Sequence, residues 1–510
     1  MAKKKGGRHS EKEPQRPAEC DLDGDYRFPV QSLKDLTLAN IRAGIIGSRY
    51  AQALLLLTII GLFLRFYNLG FNSLWLDEAS TYTISVNSFS QIWQATAAGE
   101  FNPPLFYWME HVMLTFGNSE AILRFIPAVV GTLTIPLIYC VGKEFMDRTV
   151  GIIAAAAFAF SPFLIYYSQE ARAYIMMLFF VVFAMLFYLK ALKDNGIRNW
   201  VLFGLFSALA LWAHFYAFAI IASLILYALA IQFLNVRQNL RKIGMVALSA
   251  VVFSIACLPL FIVALPLFAS RTALGPTFGV QGFDVIYQTF LQIAGFNEFV
   301  MYLLLLLFIA GIIQTFLVDR TKGWFLVSLT ILPFVISIFL SYRIPMVPRY
   351  LIFFAAVFFI GVAVSYRLVY SLVNSKGIIY GFLLLMVILN APVLAGYYSG
   401  YSKADWRGFS AQMQQTAKPG DFIVLVPGYI AQPFDYYYTN RTSGTIEFGA
   451  TTAKNLDAIA AQKANNTIYY IVTTDIYSAN PSGDALAWIK NNTKAIGQDT
   501  TGSIALFVSR

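Results

Sequence analysis

Two adjacent carboxylates, Asp77 and Glu78, follow the first long apolar run of the chain, Ala51 to Asn68. Ionised side chains at the end of a membrane span lose solvation energy unless they lie in a wet cavity or meet a partner. The stretch from Gly70 to Ala121 carries further acids, Glu100 among them, but no Lys or Arg. An acidic segment without bases predicts a place where a proton is taken up or a cation is held.

If this stretch is helical, the neighbouring side chains of Asp77 and Glu78 point about 100° apart. The two acids then have different roles. We expect one to face the cavity as a catalytic group, while the other caps a helix or pairs with a base. The alternative is that both only cap a short interfacial helix.

A segment rich in aromatic residues leads from Pro103-Pro104 to His111. The double proline fixes an extended entry and then permits a helix to start. The pattern predicts an amphipathic helix at the membrane surface. His111 would pair with Asp77 as a general acid/base or metal ligand, or it would be a hydrogen-bonded structural group.

Arginines near the same surface form a third group of candidates. Arg172 lies in a very short loop and needs a partner, which would be Glu170, the Asp77 loop or a ligand phosphate. Arg343 and Arg349 are held by two intervening prolines, and guanidinium groups bind phosphate oxygens bidentately. Pairing of Arg349 with an acid is the alternative. We also expect the following residues at the same site: Tyr350, Arg65 at the end of the first span and Arg124 at the start of the second.

The amino-acid composition indicates a membrane environment. Of the 510 residues, 58% are hydrophobic and 13% are charged, against about 25% charged in soluble domains. Apolar runs of spanning length, roughly 17–25 residues, predict a polytopic α-helical membrane protein of about eleven spans. The runs cover 51–69, 122–142, 149–167, 173–192, 199–216, 217–235, 243–266, 299–318, 323–341, 349–371 and 377–397.

The charged loops predict the orientation. Alternate loops carry most of the Lys and Arg, and such loops stay cytoplasmic. The N-terminus is therefore predicted inside, and the Asp77 loop and the C-terminal domain outside.

Residues 1–45 are predicted to form a disordered cytoplasmic tail of mixed charge. Because the basic loops account for most of the net charge of +10, we expect no nucleic-acid partner.

Residues 401–510 alternate helical and strand patterns and predict a small α/β domain. Its strands, such as Phe422 to Val426, are apolar without clean alternation, which is typical of a sheet covered on both faces. The domain has no Gly-rich phosphate fingerprint and no nucleophile elbow. We expect it to recognise a substrate or to act as a scaffold.

Carboxylates and arginines on one face of a helical bundle suit a lipid-borne phosphate substrate. Its tail would lie among the helices and its phosphate at the arginines. A carboxylate would deprotonate an acceptor hydroxyl. Because phosphate is already a good leaving group, a second carboxylic acid of the kind that glycosidases use is not required.

These residues resemble the GT-C glycosyltransferases that use polyprenyl-phosphate sugars, in particular family 39 and the relatives of protein O-mannosyltransferase and lipid A aminoarabinose transferase. The resemblance covers roughly residues 50–400. The segments that carry it are Ser73-Leu74-Trp75-Leu76-Asp77-Glu78-Ala79, Asn102-Pro103-Pro104-Leu105-Phe106-Tyr107-Trp108 to His111, Leu123-Arg124-Phe125-Ile126-Pro127, Ser168-Gln169-Glu170-Ala171-Arg172-Ala173-Tyr174 and Arg349-Tyr350.

The resemblance implies a GT-C transmembrane domain over residues 46–400, with a catalytic external loop at 70–121. Asp77 becomes the general base of an inverting sugar transfer, Glu78 shapes the site, and Arg172 and Arg349 contact the polyprenyl phosphate. Metal use differs among GT-C branches, so a divalent ion stays open and no cofactor is predicted with certainty.

The implied partners are a polyprenyl-phosphate-linked sugar, an acceptor glycan, lipid or protein, and membrane lipids. The tail differs from the β-trefoil of eukaryotic O-mannosyltransferases, which argues against a protein acceptor and leaves the acceptor open. We expect the protein in the plasma membrane of a prokaryote. Two other hypotheses compete with the enzyme. A transporter or flippase usually shows repeats and acids near mid-membrane. A sensory or assembly protein would use the outer domain and leave the Asp77 loop unexplained.

Overall fold

The computed structural model describes residues 21–24, 26, 29, 35, 37–100, 102–233, 236–438, 444–462 and 466–509. Most of the predicted disordered tail therefore lies outside the described residues. The first helix, α1 (Leu38–Gly47), begins after Thr37, whose side chain accepts a hydrogen bond from the backbone N–H of Asn40. Regular structure thus starts inside the stretch that was predicted as a tail.

Helices make up the chain as far as Ser399. In chain order they are α2 (Arg49–Phe66), α3 (Leu76–Ser85), α4 (Phe89–Ala98), α5 (Leu105–Met113), α6 (Glu120–Leu123), α7 (Phe125–Phe145), α8 (Arg148–Phe160), α9 (Pro162–Ser168), α10 (Tyr174–Asp194), α11 (Ile197–Ala213), α12 (Ala217–Phe233), α13 (Val236–Leu274), α14 (Asp284–Ile293), α15 (Glu298–Val318), α16 (Arg320–Ser341), α17 (Phe354–Val364), α18 (Tyr366–Val373) and α19 (Gly377–Ser399).

A helix covers each predicted apolar run in whole or in part. Within the described residues, eight helices are long and apolar enough to cross a membrane, and the count is nine if α8 and α9, bent by 60° at Ser161, form one span. The apolar helices α11 and α12 have 17 residues each. The structure confirms a polytopic helical protein, while the number eleven stays a prediction.

The centre of the bundle is formed by α8, α10 and α17. Every residue of α17 is buried, as expected for a helix that is hydrophobic on all sides. Where α7 crosses α8, Gly142 and Gly151 allow the backbones to meet, since a Cβ on Gly142 would lie 2.8 Å from the Cα of Gly151. Small residues at such crossings are typical of helices packed in membranes.

The two sets of loops lie at opposite ends of the bundle. At one end, Arg367 Nη2 lies 2.6 Å from the carboxylate of Asp147, and Lys376 donates to the carbonyl of Asp21. This end contains the basic loops. The other end carries α3 to α6, the short loop around Arg172 and the segment around Arg349; we call it the loop face. The structure thus separates the basic loops from the acidic loop, as the sequence predicted.

The C-terminal domain sits on the loop face. It contains α20 (Trp406–Thr416), α21 (Ala431–Tyr437), α22 (Ala453–Ala460), α23 (Ile476–Ala479) and α24 (Asp484–Asn492), and the strands β1 (Phe422–Val426), β2 (Ile446–Gly449), β3 (Ile468–Thr473), β4 (Thr493–Gln498) and β5 (Ile504–Ser509). The strand order is β2-β1-β3-β5-β4, with β1 parallel to β2 and β3, and β5 antiparallel to both of its neighbours.

The predicted α/β domain is confirmed. Strands β1 and β3 are buried along their whole length between two apolar clusters, so the sheet is covered on both faces. The edge strands β2 and β4 were not predicted. Most of their residues are at least partly exposed, so neither strand carries the apolar run that marks a central strand.

Candidate active site

The helix α3 begins directly before the two carboxylates, which lie in its first turn. Negative charge is favourable there because it faces the positive end of the helix dipole. Glu78 also accepts a hydrogen bond from the backbone N–H of Trp75 at 3.4 Å. The acids diverge as predicted: the Asp77 side chain is 25% exposed and that of Glu78 is 0% exposed.

Glu78 is held by groups from three distant parts of the chain. Arg124 contacts both carboxylate oxygens through Nε and Nη2, at 2.7 and 2.8 Å. Lys403 Nζ lies 2.9 Å from Oε2, and the backbone N–H of Ala171 donates to Oε1 at 2.8 Å. Burial acts to raise the pKa of Glu78, but the two cations and these donors outweigh it and lower the pKa.

Arg124 is committed to this contact and to the backbone. Its remaining N–H groups donate to the carbonyls of Leu69, Asn72 and Ser73 at 2.8–3.0 Å. The guanidinium therefore ties the start of the acidic loop to the beginning of α7. This geometry gives Arg124 a positioning role and not the substrate contact that was predicted.

Asp77 meets two of the predicted arginines. Its Oδ2 lies 3.3 Å from Arg349 Nη2, and both side chains are 25% exposed. Arg172 Nη1 donates to the backbone carbonyl of Asp77 and to Thr81 Oγ1, each at 3.2 Å. Arg172 therefore fixes the first turn of α3, while Arg349 faces the carboxylate itself.

Aromatic rings enclose Arg349. The guanidinium lies 5.5 Å from the ring centroid of Trp75 and 5.9 Å from that of Tyr350, distances at which a cation is attracted to the ring. Its Nε donates to the hydroxyl of Tyr174 at 3.1 Å. Tyr350 in turn stacks on Tyr216 at 4.5 Å. The predicted residues Asp77, Arg172, Arg349 and Tyr350 thus form one site, the Asp77 cluster.

Arg65 does not join this cluster. It is fully buried and donates to the carbonyls of Phe158 and Ala159, at 2.9 and 3.3 Å, and to Ser168 Oγ at 3.2 Å. The last carbonyls of a helix have no partner within it, and α8 ends at the bend after Phe160. Arg65 satisfies those carbonyls, so its role here is structural.

Neither His111 nor Arg343 forms a hydrogen bond or ion pair with Asp77. His111 Nδ1 is 2.9 Å from the carbonyl of Ser85, eight residues further along α3, which is about 12 Å at 1.5 Å per residue. The predicted pair of His111 with Asp77 is therefore not formed. Arg343 is exposed and makes no side-chain ion pair or hydrogen bond with any residue that the structure describes.

Two groups in the site have roles that were not predicted, since Glu170 was expected only as a partner of Arg172 and Lys403 was not expected at all. Lys403 is buried, and its Nζ lies 2.9 Å from Glu78 and 3.8 Å from Glu170. The carboxyl of Glu170 is buried and has no hydrogen-bond partner among the described residues. Burial, with a smaller contribution from the charge of Glu78, raises the pKa of Glu170 although Lys403 opposes the shift. No sequence signal links Lys403 to Glu78, which is 325 residues away.

The C-terminal domain is fastened to the acidic loop by further polar contacts. Arg407 Nη2 lies 2.5 Å from Glu120 Oε1, and the hydroxyl of Tyr437 donates to the same oxygen at 2.6 Å. Ser73 Oγ donates to Asp405 at 3.2 Å. Within the described part of the chain, no three His, Cys, Asp or Glu side chains lie close enough together to hold a metal ion.

Replacing Lys403 by Met should destabilise the protein. Loss of one partner from a buried ion pair costs about 3–5 kcal/mol, because the other charge is left without compensation. The matched control is Lys193→Met, which breaks the exposed pair of Lys193 with Glu144 and should cost at most about 1 kcal/mol. Thermal unfolding in lipid nanodiscs should show a clearly lower Tm for Lys403→Met alone. Equal Tm values would contradict the role given to Lys403.

The two buried acids should respond differently to neutralisation. Glu78→Gln leaves two buried cations without their carboxylate and should lower the Tm. Glu170→Gln replaces a carboxyl whose neutral form burial already favours relative to the unfolded chain, and it should not lower the Tm. Because the folded state holds the Glu170 proton more tightly than the unfolded chain, the wild type should lose stability as pH rises through that raised pKa. In Glu170→Gln this loss should be missing, as measured by Tm across pH. A Tm for Glu170→Gln as low as that for Glu78→Gln would contradict this assignment.

Comparison with known proteins places the fold. A family model described as dolichyl-phosphate-mannose-protein mannosyltransferase matches residues 102–262. A comparison with curated proteins gave no significant match. The structure is similar to that of ArnT from Cupriavidus metallidurans in the apo state, with a TM-score of 0.58 and 14% identity over 89% of this chain and 97% of that chain.

Two further solved structures have the same fold. ArnT from C. metallidurans bound to undecaprenyl phosphate gives a TM-score of 0.55 at 14% identity, covering 89% of this chain and 97% of that chain. The oligosaccharyltransferase AglB from Archaeoglobus fulgidus, in complex with an inhibitory peptide and a dolichol-phosphate, gives 0.54 at 16% identity, covering 91% and 74%. The resemblance to the GT-C class is confirmed, and at these identities the likeness establishes the fold.

Proposed function

We propose that this protein transfers a monosaccharide from a polyprenyl-phosphate donor to an acceptor hydroxyl, with inversion at the anomeric carbon. One observation carries the proposal: a partly exposed carboxylate, Asp77, lies 3.3 Å from a guanidinium, Arg349, on the loop face of a GT-C bundle. A base and a phosphate-binding cation in contact are the two groups that this reaction needs.

In the proposed reaction, the donor phosphate binds at Arg349. Asp77 takes the proton of the acceptor hydroxyl, whose oxygen forms a bond to the anomeric carbon. The bond from that carbon to the phosphate oxygen breaks, and its electron pair leaves with the phosphate. Guanidinium hydrogen bonds to the phosphate strengthen as this charge develops. Attack on the face opposite the phosphate inverts the anomeric carbon.

The remaining groups position this pair. Arg172 holds the backbone of Asp77, and Glu78 anchors α3 through Arg124 and Lys403. The rings of Trp75 and Tyr350 pack on the Arg349 guanidinium and limit its freedom to turn away from Asp77. The sugar, hexosyl or pentosyl, is left open by this arrangement, and no step is assigned to a metal ion.

Similar solved structures support a lipid-phosphate donor. ArnT was solved with undecaprenyl phosphate and AglB with a dolichol-phosphate. We infer the same class of carrier here. With the basic loops in the cytoplasm, the loop face and residues 401–510 would lie outside the plasma membrane of a prokaryote, and the N-terminus inside.

Asp77→Asn should abolish turnover while preserving the fold. Loss of a general base typically costs about 10²–10⁴-fold in rate. Purified protein in nanodiscs would be given radiolabelled polyprenyl-phosphate monosaccharides, and release or transfer of the sugar would be followed. The control is Asp284→Asn, the same change at an exposed acid at the start of α14. If Asp77→Asn turned over donor at the wild-type rate, Asp77 would not be the base.

Arg349→Lys should weaken donor use even though the charge is kept. A lysine cannot reproduce the planar fork that binds phosphate bidentately, so we expect the donor KM to rise by about tenfold, roughly 1.4 kcal/mol. The matched control is Arg343→Lys, the same change at an exposed arginine six residues earlier, and it should leave KM unchanged. The reverse result would move the phosphate site to Arg343.

The same assays separate the competing functions. A flippase or transporter would move labelled lipid across a vesicle membrane without cleaving the sugar–phosphate bond. A partner-binding protein would lose its function on deletion of residues 401–510 and would tolerate Asp77→Asn. The enzyme requires sugar cleavage that depends on Asp77.

A further inference from the structure

A cavity of about 190 Å³ lies between the C-terminal domain and the start of α3. Its lining includes the aromatic residues Trp75, Tyr166 and Trp406 and the polar residues Thr474 and Asp475. The volume is far above the roughly 10–15 Å³ that one ordered water requires. Of these residues only Trp75 packs on a member of the Asp77 cluster, Arg349, and the others have no role in the reaction described so far.

The cavity lies where the topology of the sheet favours a ligand site. Strand β1 is flanked by β2 on one side and β3 on the other, and all three are parallel. In open α/β sheets, ligands bind beyond the carboxyl ends of the strands, where the chain reverses its direction of progress across the sheet. Ile430, which follows β1, and Thr473-Thr474-Asp475, at the end of β3, line the cavity.

Trp75 connects this cavity with the Asp77 cluster. It lines the cavity, and the centroid of its ring lies 5.5 Å from the Arg349 guanidinium. Leu76 lines the cavity too, and the next residue is Asp77. The two residues that precede the proposed base in the chain therefore both line the cavity.

The chemistry of the wall suits a sugar ring. The C–H faces of a pyranose pack on aromatic rings, and its hydroxyls hydrogen-bond to Thr, Ser and Asp side chains. A lipid tail would need an apolar wall. An isolated anion would need an uncommitted cation, whereas Lys403, which lines the cavity, is paired with Glu78 at 2.9 Å.

We propose that this cavity binds the acceptor, and that the acceptor is a saccharide unit of a glycan or glycolipid whose hydroxyl is presented to Asp77. This rests on the proposed function, and it names the chemical class of the second substrate, the acceptor. The C-terminal domain then supplies the acceptor half of the active site, and the contacts of Lys403 and Arg407 hold the two halves together.

The test uses the full-length protein in nanodiscs with a labelled polyprenyl-phosphate sugar and a cell-envelope saccharide fraction from the native host as acceptor. Two rates are measured: release of the donor sugar to water, and transfer to the fraction. The cavity variant combines Thr474→Val with Asp475→Asn. The matched control combines Thr416→Val with Asp457→Asn, two exposed positions of the same domain that do not line the cavity.

We expect the cavity variant to raise the apparent acceptor KM by on the order of tenfold or more, with release to water unchanged, and the control variant to match the wild type. The labelled product should carry the new bond on a sugar hydroxyl. Wild-type acceptor kinetics in the cavity variant would overturn the inference, as would label attached to a peptide side chain or to a lipid alcohol.

Failure of the proposed function has a different signature. In that case neither the wild type nor the control would release or transfer sugar from any donor, and both proposals would fall. If the donor is turned over in an Asp77-dependent manner but no saccharide receives the sugar, the acceptor inference alone is wrong.

Discussion

The buried carboxylate of Glu78 is the contact on which the arrangement of the site depends. A carboxylate without exposure to water costs several kcal/mol unless cations and hydrogen-bond donors replace its solvation. Here Arg124, Lys403 and the N–H of Ala171 do so. These groups come from the entry to α7, the linker into the C-terminal domain and the loop before α10. One side chain therefore ties the acidic loop, the bundle and the outer domain together.

The neighbouring acid is available for chemistry because of that anchor. Asp77 and Glu78 lie side by side in the chain, but a helix turns their side chains about 100° apart. Glu78 is buried in the interior, whereas Asp77 stays partly exposed and lies beside Arg349. Arg172 adds a second restraint by binding the carbonyl of Asp77 itself. A rigid first turn of α3 fixes the distance between the proposed base and the proposed phosphate site.

Three of the predicted arginines lie outside the Asp77 cluster for a common reason. In the sequence, all three lie next to the ends of spans: Arg65, Arg124 and Arg343. Sequence position alone therefore predicted equally for each of them that it would bind the donor phosphate. In the structure, Arg65 donates hydrogen bonds to the carbonyls at the end of α8, where the chain bends. Arg124 binds Glu78, and Arg343 is exposed. His111 is far from Asp77 for a related reason, because α5 packs on α3 and places His111 at the opposite end of that helix.

The sequence by itself determined the helical bundle, the α/β tail, the separation of basic and acidic loops and the divergence of Asp77 from Glu78. These follow from hydropathy, periodicity and charge, which are local properties of the chain. Only the tertiary structure decided which cations reach which acids. Arg349 is 272 residues from Asp77, and Lys403 is 325 residues from Glu78. Such pairs form because burying a charge requires a partner from whatever segment packs beside it, and packing is a property of the whole fold.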